Sequence, residues 1–221
     1  MAGAGRGFSV ALDRFQQEVL AAFFERQEGF FLTGGGALAG YYLDHRSTQD
    51  LDLFTSGSSL DEAEASLAAV ARALGADLEA VHTAPDFRRR LLRRSPESVI
   101  VDLVLDRTAQ ISVEKRHFGR VVVDSPEEIR ANKLCTLLSR SELRDLADLR
   151  ALEAAGYAVD ATALRDAASK DGGLTPGQLA WVLNDFRITS DSPAIGEATP
   201  AELSAYKADL VRRLVVFASP A

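Results

Sequence analysis

The sequence has almost nothing that could cross-link or anchor a chain. A single cysteine, Cys135, stands among 221 residues. One thiol excludes an internal disulfide and a cysteine-rich zinc site. No apolar run approaches the roughly 20 residues of a membrane span. The amino-terminal residues lack the apolar stretch of a secretory signal and read as a loose lead-in. The expected compartment is therefore cytoplasmic, with no membrane partner. There is no internal repeat and no low-complexity linker. Positive charge is also short. The net charge of −7 excludes indiscriminate attraction to nucleic acid.

What is present is the composition of a globular chain, 47% apolar and 26% charged. The length allows one large domain or two small ones sharing a core. Arginine greatly outnumbers lysine, and five arginines fall within residues 88–94 (RRRLLRR). An arginine fork grips phosphate with two hydrogen bonds, so a local basic face for RNA stays open beside a plain solvated strand face.

The pattern changes near Asp124. Residues 1–124 mix helical and strand signals, and residues 125–221 read as helix throughout. In the first part, apolar residues at helical spacing over 11–27 predict a helix with one buried face. Strands are expected at 30–33, 50–54, 78–82, 87–93, 98–105 and 121–123. A short helix is expected over 37–44. Another is capped by Ser59, with Glu62 at capping-box spacing, and ends at Gly75. In the second part, Ser125 and Pro126 open a helix to about Ser139. Further helices are expected over 142–155, 161–169, 176–186 and 200–217. Cys135, Trp181 and Phe186 read as core.

Chemistry concentrates in residues 34–54 (GGGALAGYYLDHRSTQDLDLF). Alternate residues of a strand share a face, so Asp50 and Asp52 project together while Leu51 and Leu53 enter the core. Two neighbouring carboxylates repel. A divalent cation, Mg²⁺ or Mn²⁺, relieves that repulsion and joins carboxylates to substrate phosphates. The glycines Gly34, Gly35 and Gly36 precede a helix, where bare N–H groups favour a phosphate. Asp102 lies in an otherwise apolar strand (VIVDLVL) and is the candidate third metal ligand. An ion pair with an arginine is the other reading. Arg46 reads either as a substrate contact or as a packed loop anchor.

This order of motifs resembles the nucleotidyltransferase superfamily, and more closely the AbiEii/AbiGii toxin family. The resemblance rests on Gly34-Gly35 with Ala37-Leu38, His45-Arg46-Ser47, and Asp50-Leu51-Asp52-Leu53-Phe54. It continues through residues 128–134 (EIRANKL), Arg140 and residues 144–149 (RDLADL). The resemblance implies an α/β (α+β) fold, with a nucleotidyltransferase-like mixed sheet, flanking helices and a C-terminal helical domain closing a cleft. It implies metal-dependent transfer of an NMP group from an NTP to an acceptor hydroxyl. Asp50, Asp52 and Asp102 hold the metals, and Lys133 contacts the triphosphate. Asp145 lies near the acceptor or supports the metals, and Asp148 pairs with an arginine. The acceptor implied is RNA, such as a tRNA 3′ end, and a cognate antitoxin is the implied protein partner. Two positions depart from the family pattern. Gly36 stands where a hydroxyl residue is usual, with Thr33 as the possible substitute, and Arg144 stands where lysine is common. Nucleotidylation of a small molecule or a protein, and a non-catalytic nucleotide-binding module, stay open as alternatives.

Overall fold

The computed structural model describes residues 11–219. The lead-in expected over residues 1–10 lies outside them. The chain divides into two compact units. The first comprises the described residues up to Arg107 together with Glu114–Ser125. The second comprises Thr108–Val113 and the described residues from Pro126 onward.

The first unit is built on one mixed sheet of seven strands. These are β1 (Phe31–Thr33), β2 (Asp50–Thr55), β3 (Asp77–Ala84), β4 (Phe87–Arg94), β5 (Glu97–Leu105), β6 (Arg116–Phe118) and β7 (Val121–Val123), in the order β3-β4-β5-β2-β1-β7-β6. β2 runs parallel to β5, and β1 parallel to β7. The other neighbours are antiparallel. The buried alternation Leu51, Leu53 on β2 and Val99, Val101, Leu103 on β5 makes the core face. Edge strand β3 is almost wholly exposed. The other edge strand, β6, has no apolar alternation and gives no strand signal in the sequence. Antiparallel pairing with β7 makes it a strand.

Helix α1 (Arg14–Phe24) is shorter than its periodicity predicts. Asp13 stops it from starting earlier, because its carboxylate accepts from the Gln16 amide at 2.8 Å while Gln16 reaches back to the Asp13 N–H. Its buried face is Phe15, Val19, Leu20, Phe23 and Phe24. Helix α3 (Leu60–Ala73) is capped by Ser59 and followed by Gly75 at φ +65°. Between them the chain departs from expectation. Helix α2 begins at the glycines themselves (Gly34–Ala37) and continues as a π-helical segment over Leu38–Leu43. Ala37, Leu38 and Ala39 are fully buried, and that packing overrides the weak helix propensity of glycine.

The second unit is helical: α4 (Pro126–Ser139), α5 (Leu143–Ala154), α6 (Ala161–Lys170), α7 (Pro176–Asp185) and α8 (Pro200–Ala218). α4 packs on α5, α6 and α7, and α8 packs on α5 and α7. The segment Thr108–Val113 joins this unit through Glu128, whose carboxylate accepts from the amides of Ile111 (2.6 Å) and Ser112 (2.9 Å). Lys170 pairs with the same buried carboxylate.

Cys135 is only half-buried; its thiol donates to the Ala167 carbonyl, and burial pushes its pKa up to about 11. Trp181 is not core. It is 73% exposed, because α7 buries Leu179, Ala180 and Leu183, and a residue two on from Leu179 faces the opposite side.

Candidate functional site

Four side chains form a row across the middle of the first unit's sheet. Thr33 on β1 lies opposite Asp52 on β2, Asp52 beside Asp102 on β5, and Asp102 opposite Arg89 on β4. Asp50 stands two residues from Asp52 and shares its face. Both are half-buried, whereas Asp102 is 4% exposed.

Arg89 occupies Asp102. Its guanidinium donates from Nε to one oxygen at 2.8 Å and from Nη2 to the other at 2.6 Å, a two-pronged charged pair. That hydrogen bonding holds Arg89 above its ordinary pKa against partial burial, and the charges of Asp102, Asp50 and Asp52 add to it. The arginine therefore supplies positive charge to all three carboxylates. No cluster of three His, Cys, Asp or Glu residues suited to a metal ion is present among the described residues. Asp50 and Asp52 share one face of β2, beside Asp102. Two carboxylates with substrate phosphates and water are an ordinary Mg²⁺ set, so the residues fit a metal at these two.

The glycine turn is shaped around this row. Gly34 has φ +62°, and a Cβ there would overlap Oδ2 of Asp52. A Cβ on Gly35 would overlap the Arg46 guanidinium. The bare backbone thus packs directly against a carboxylate at Gly34 and a guanidinium at Gly35, an approach that only glycine allows. The space at Gly36 is different. A Cβ there would lie 3.4 Å from the Asp50 carbonyl and against Leu32 and Leu51, so a side chain at this position points inward. Thr33 donates its hydroxyl proton to Asp124 at 2.8 Å and is 3% exposed. A phosphate oxygen needs a donor, and this one is already engaged. Gly34→Ala is expected to cost roughly 1–3 kcal/mol from the left-handed backbone alone and to push Asp52 aside. A melting midpoint equal to that of the unsubstituted protein would refute it.

The second unit holds its own charged cluster. Lys133 on α4 reaches Asp145 at 2.6 Å and Asp148 at 2.7 Å on α5, and Arg140 donates to Asp145 at 3.1 Å. Asp145 and Asp148 are fully buried and Lys133 is 6% exposed. Burial lowers the Lys133 pKa, but the charges of Asp148 and Asp145 outweigh it and hold the ammonium above its usual value. Two of its three N–H donors are thereby taken. Lys133 is one partner of Asp148.

Sequence reasoning held an arginine open as the partner of Asp102 without naming Arg89, and it missed Asp124 as the anchor of Thr33. The signal for Arg89 was there: a lone acid in an apolar strand needs a base, and RRRLLRR is the neighbouring strand. The five arginines are not a free basic face. Arg88 pairs with Asp61 (3.0 Å), Arg90 with Glu64 (2.6 Å), Arg93 with Glu79 (3.6 Å) and Arg94 with Glu18 (2.7 Å), leaving Arg89 to Asp102.

Comparison with known proteins bears on the family and the fold. A family model described as nucleotidyl transferase AbiEii toxin, type IV TA system, matches residues 18–215. A Helicobacter pylori protein, provisionally described as a nucleotidyltransferase, superposes with a TM-score of 0.56 at 17% identity, covering 92% of this chain and 94% of its own. JHP933 from Helicobacter pylori gives a TM-score of 0.55 at 16% identity, covering 92% and 91%. At such identities the likeness is one of fold. No curated protein matches the chain.

Proposed function

Because the chain belongs to the AbiEii nucleotidyl transferase toxin family of type IV toxin–antitoxin systems, we propose that it moves an NMP group from an NTP to an acceptor hydroxyl. The observation that carries this reading is the sheet row of aspartates beside a turn that admits no Cβ at Gly34. Asp50 and Asp52 hold Mg²⁺ or Mn²⁺. The amides of Gly34 and Gly35 and the Arg46 guanidinium receive the phosphates. Lys133 is the proposed triphosphate contact that the family resemblance implies, and Asp148 and Asp145 keep that lysine charged. Thr33 supports the turn through Asp124. The acceptor oxygen attacks the α-phosphorus, the bond to the β-phosphate breaks and pyrophosphate leaves. A bound divalent ion stabilises the charge on the attacking and leaving oxygens. RNA, including a tRNA 3′ end, is the proposed acceptor, and a cognate antitoxin the proposed partner.

Asp102 would add a third ligand to that site if Arg89 released it. Arg89→Gln is therefore expected to bind Mn²⁺ about tenfold more tightly, since loss of a charged hydrogen-bond partner is worth roughly 1.5–3 kcal/mol. Without metal the same variant should melt lower, because Asp102 is then buried unpaired. Titration followed by electron paramagnetic resonance, with melting curves at each Mn²⁺ level, measures both. Unchanged affinity would leave Asp102 as an ion-pair residue. It would also favour the non-catalytic nucleotide-binding module, for which Arg89 seated on Asp102 is the supporting observation.

The reaction itself is tested by incubating protein, Mg²⁺ or Mn²⁺ and each α-labelled NTP with total RNA. Label entering RNA from one NTP identifies donor and acceptor together. Label on the protein or on small molecules would move the acceptor assignment to those classes, and no transfer anywhere would end the enzymatic reading. Growth arrest on expression, relieved by a co-expressed neighbour, is the expected result for a toxin.

A further inference from the structure

The basic run that stands out in the sequence is neutralised, but a second one is not. Residues 115–120 read KRHFGR and span edge strand β6 and its turn into β7. Lys115 is committed to Asp124 at 2.7 Å. Arg116, His117 and Arg120 are exposed and have no carboxylate partner among the described residues. A polyanion approaching β4 meets arginines already held in five ion pairs, whereas at β6 Arg116, His117 and Arg120 bring none.

Aromatic rings lie on the same edge. Phe118 is 38% exposed, and its ring centroid lies 5.1 Å from that of Tyr41 and 5.7 Å from that of Tyr42. The Arg116 guanidinium sits 5.6 Å over the Tyr42 ring. Arg116 and Phe118 are two apart on a strand and so share a face, whereas His117 faces the other way. The platform is held firmly. The Tyr42 hydroxyl donates to the Asp124 carbonyl at 2.8 Å, and Phe118 pairs in register with Val121. Tyr41 and Tyr42 belong to the π-helical segment that continues from the glycine turn. The rings and the turn are thus parts of one continuous piece of chain.

We propose that this edge, with Phe118, Tyr41 and Tyr42 as a stacking platform and Arg116 and Arg120 as phosphate contacts, binds single-stranded RNA as the acceptor of the proposed reaction. One exposed ring, Phe118, backed by the half-buried Tyr41 and Tyr42 and flanked by arginines without a carboxylate partner, offers what an unstacked base and a phosphate backbone require. A duplex keeps its bases stacked on each other and offers the rings nothing. An acidic peptide satisfies the arginines but leaves Phe118 uncovered. The net charge of −7 makes this local arrangement selective, because the rest of the surface does not attract a polyanion. The choice of RNA rests on the proposed acceptor; the chemistry of the surface is that of a single strand.

Fluorescence anisotropy of a short, end-labelled, mixed-sequence RNA, measured without NTP, tests it. Phe118→Ala is expected to weaken binding about 5- to 150-fold, the usual worth of one stacked base. Arg116→Gln/Arg120→Gln is expected to weaken binding and to flatten the log–log salt dependence by about 1.4, from two lost phosphate contacts. Both substitutions lie at exposed positions, and the circular dichroism melt checks the fold of Phe118→Ala.

Binding unchanged in both variants overturns the proposal. So does equal affinity for duplex RNA, or tight binding of a polyglutamate peptide that Phe118→Ala leaves intact. Equal affinity for single-stranded DNA of the same sequence overturns the choice of RNA. Because no NTP is present, the two readings separate. Strand binding that depends on Phe118, with no nucleotidyl transfer to any acceptor, refutes the reaction and keeps the surface. Transfer to RNA with a KM indifferent to all three substitutions does the reverse.

Discussion

Replacing Asp50 and Asp52 together by asparagine is expected to lower nucleotidyl transfer at least about 10³-fold, since loss of even one preorganised charge stabiliser costs about 10²–10³. The fold should survive it. Both side chains are half-buried at the surface of the sheet, and asparagine has the same shape. The repulsion between the two carboxylates is offset by Arg89, so without metal the double variant should melt close to the unsubstituted protein. With Mn²⁺ present the unsubstituted protein should melt higher, because binding to the folded state stabilises only the protein that has the ligands. Rates of label transfer, read beside melting curves with and without Mn²⁺, check all three statements. Activity that persists in the double variant would place the chemistry elsewhere.

Lys133→Met is expected to be the most damaging single substitution for stability. It leaves Asp145 and Asp148, both fully buried, with Arg140 as the cation shown beside Asp145. Removing one partner of a buried ion pair typically costs about 3–5 kcal/mol. For a chain of this size that is a fall of roughly 6–20 °C in melting midpoint. Lys133→Met/Asp148→Asn should recover part of the loss, since it removes one of the two buried negative charges that Lys133 faces.

The pH dependence has a defined sign. The Lys133 pKa is raised above its ordinary value of 10.5, so its stabilisation is fully present below that pH. The contribution fades only as pH rises through the higher folded value. Chemical denaturation at neutral pH and above pH 10.5 measures it. A Lys133→Met protein as stable as the original would show that the cluster contributes nothing, and would leave triphosphate contact as the lysine's sole role.

Several elements were legible in the sequence for simple reasons. A period of two in DLDLF and a period near 3.6 in the α1 and α3 segments report burial of one face, a local property of the chain. The spacing of Asp50 and Asp52 also determined that their side chains share a face. The glycine run announced a backbone without side chains. The ordered motifs from Gly34 to Leu149 were enough to expect the family and the mixed α/β fold that the structure has.

Other features depend on pairings that no local pattern encodes. Strand β6 is three exposed residues, made a strand by its partner. The helix begins at Gly34 because Ala37, Leu38 and Ala39 pack into the core. Trp181 is exposed because the buried side of α7 is set by its neighbours. Strand register decided that Asp102 stands next to both Asp52 and Arg89. It also decided which of two basic runs is spent on internal ion pairs and which remains available. The sequence by itself determined which residues can do chemistry and which face of each element they occupy, because both follow from covalent periodicity. The tertiary structure alone decided which charges neutralise one another, because that depends on distances between strands far apart in the chain.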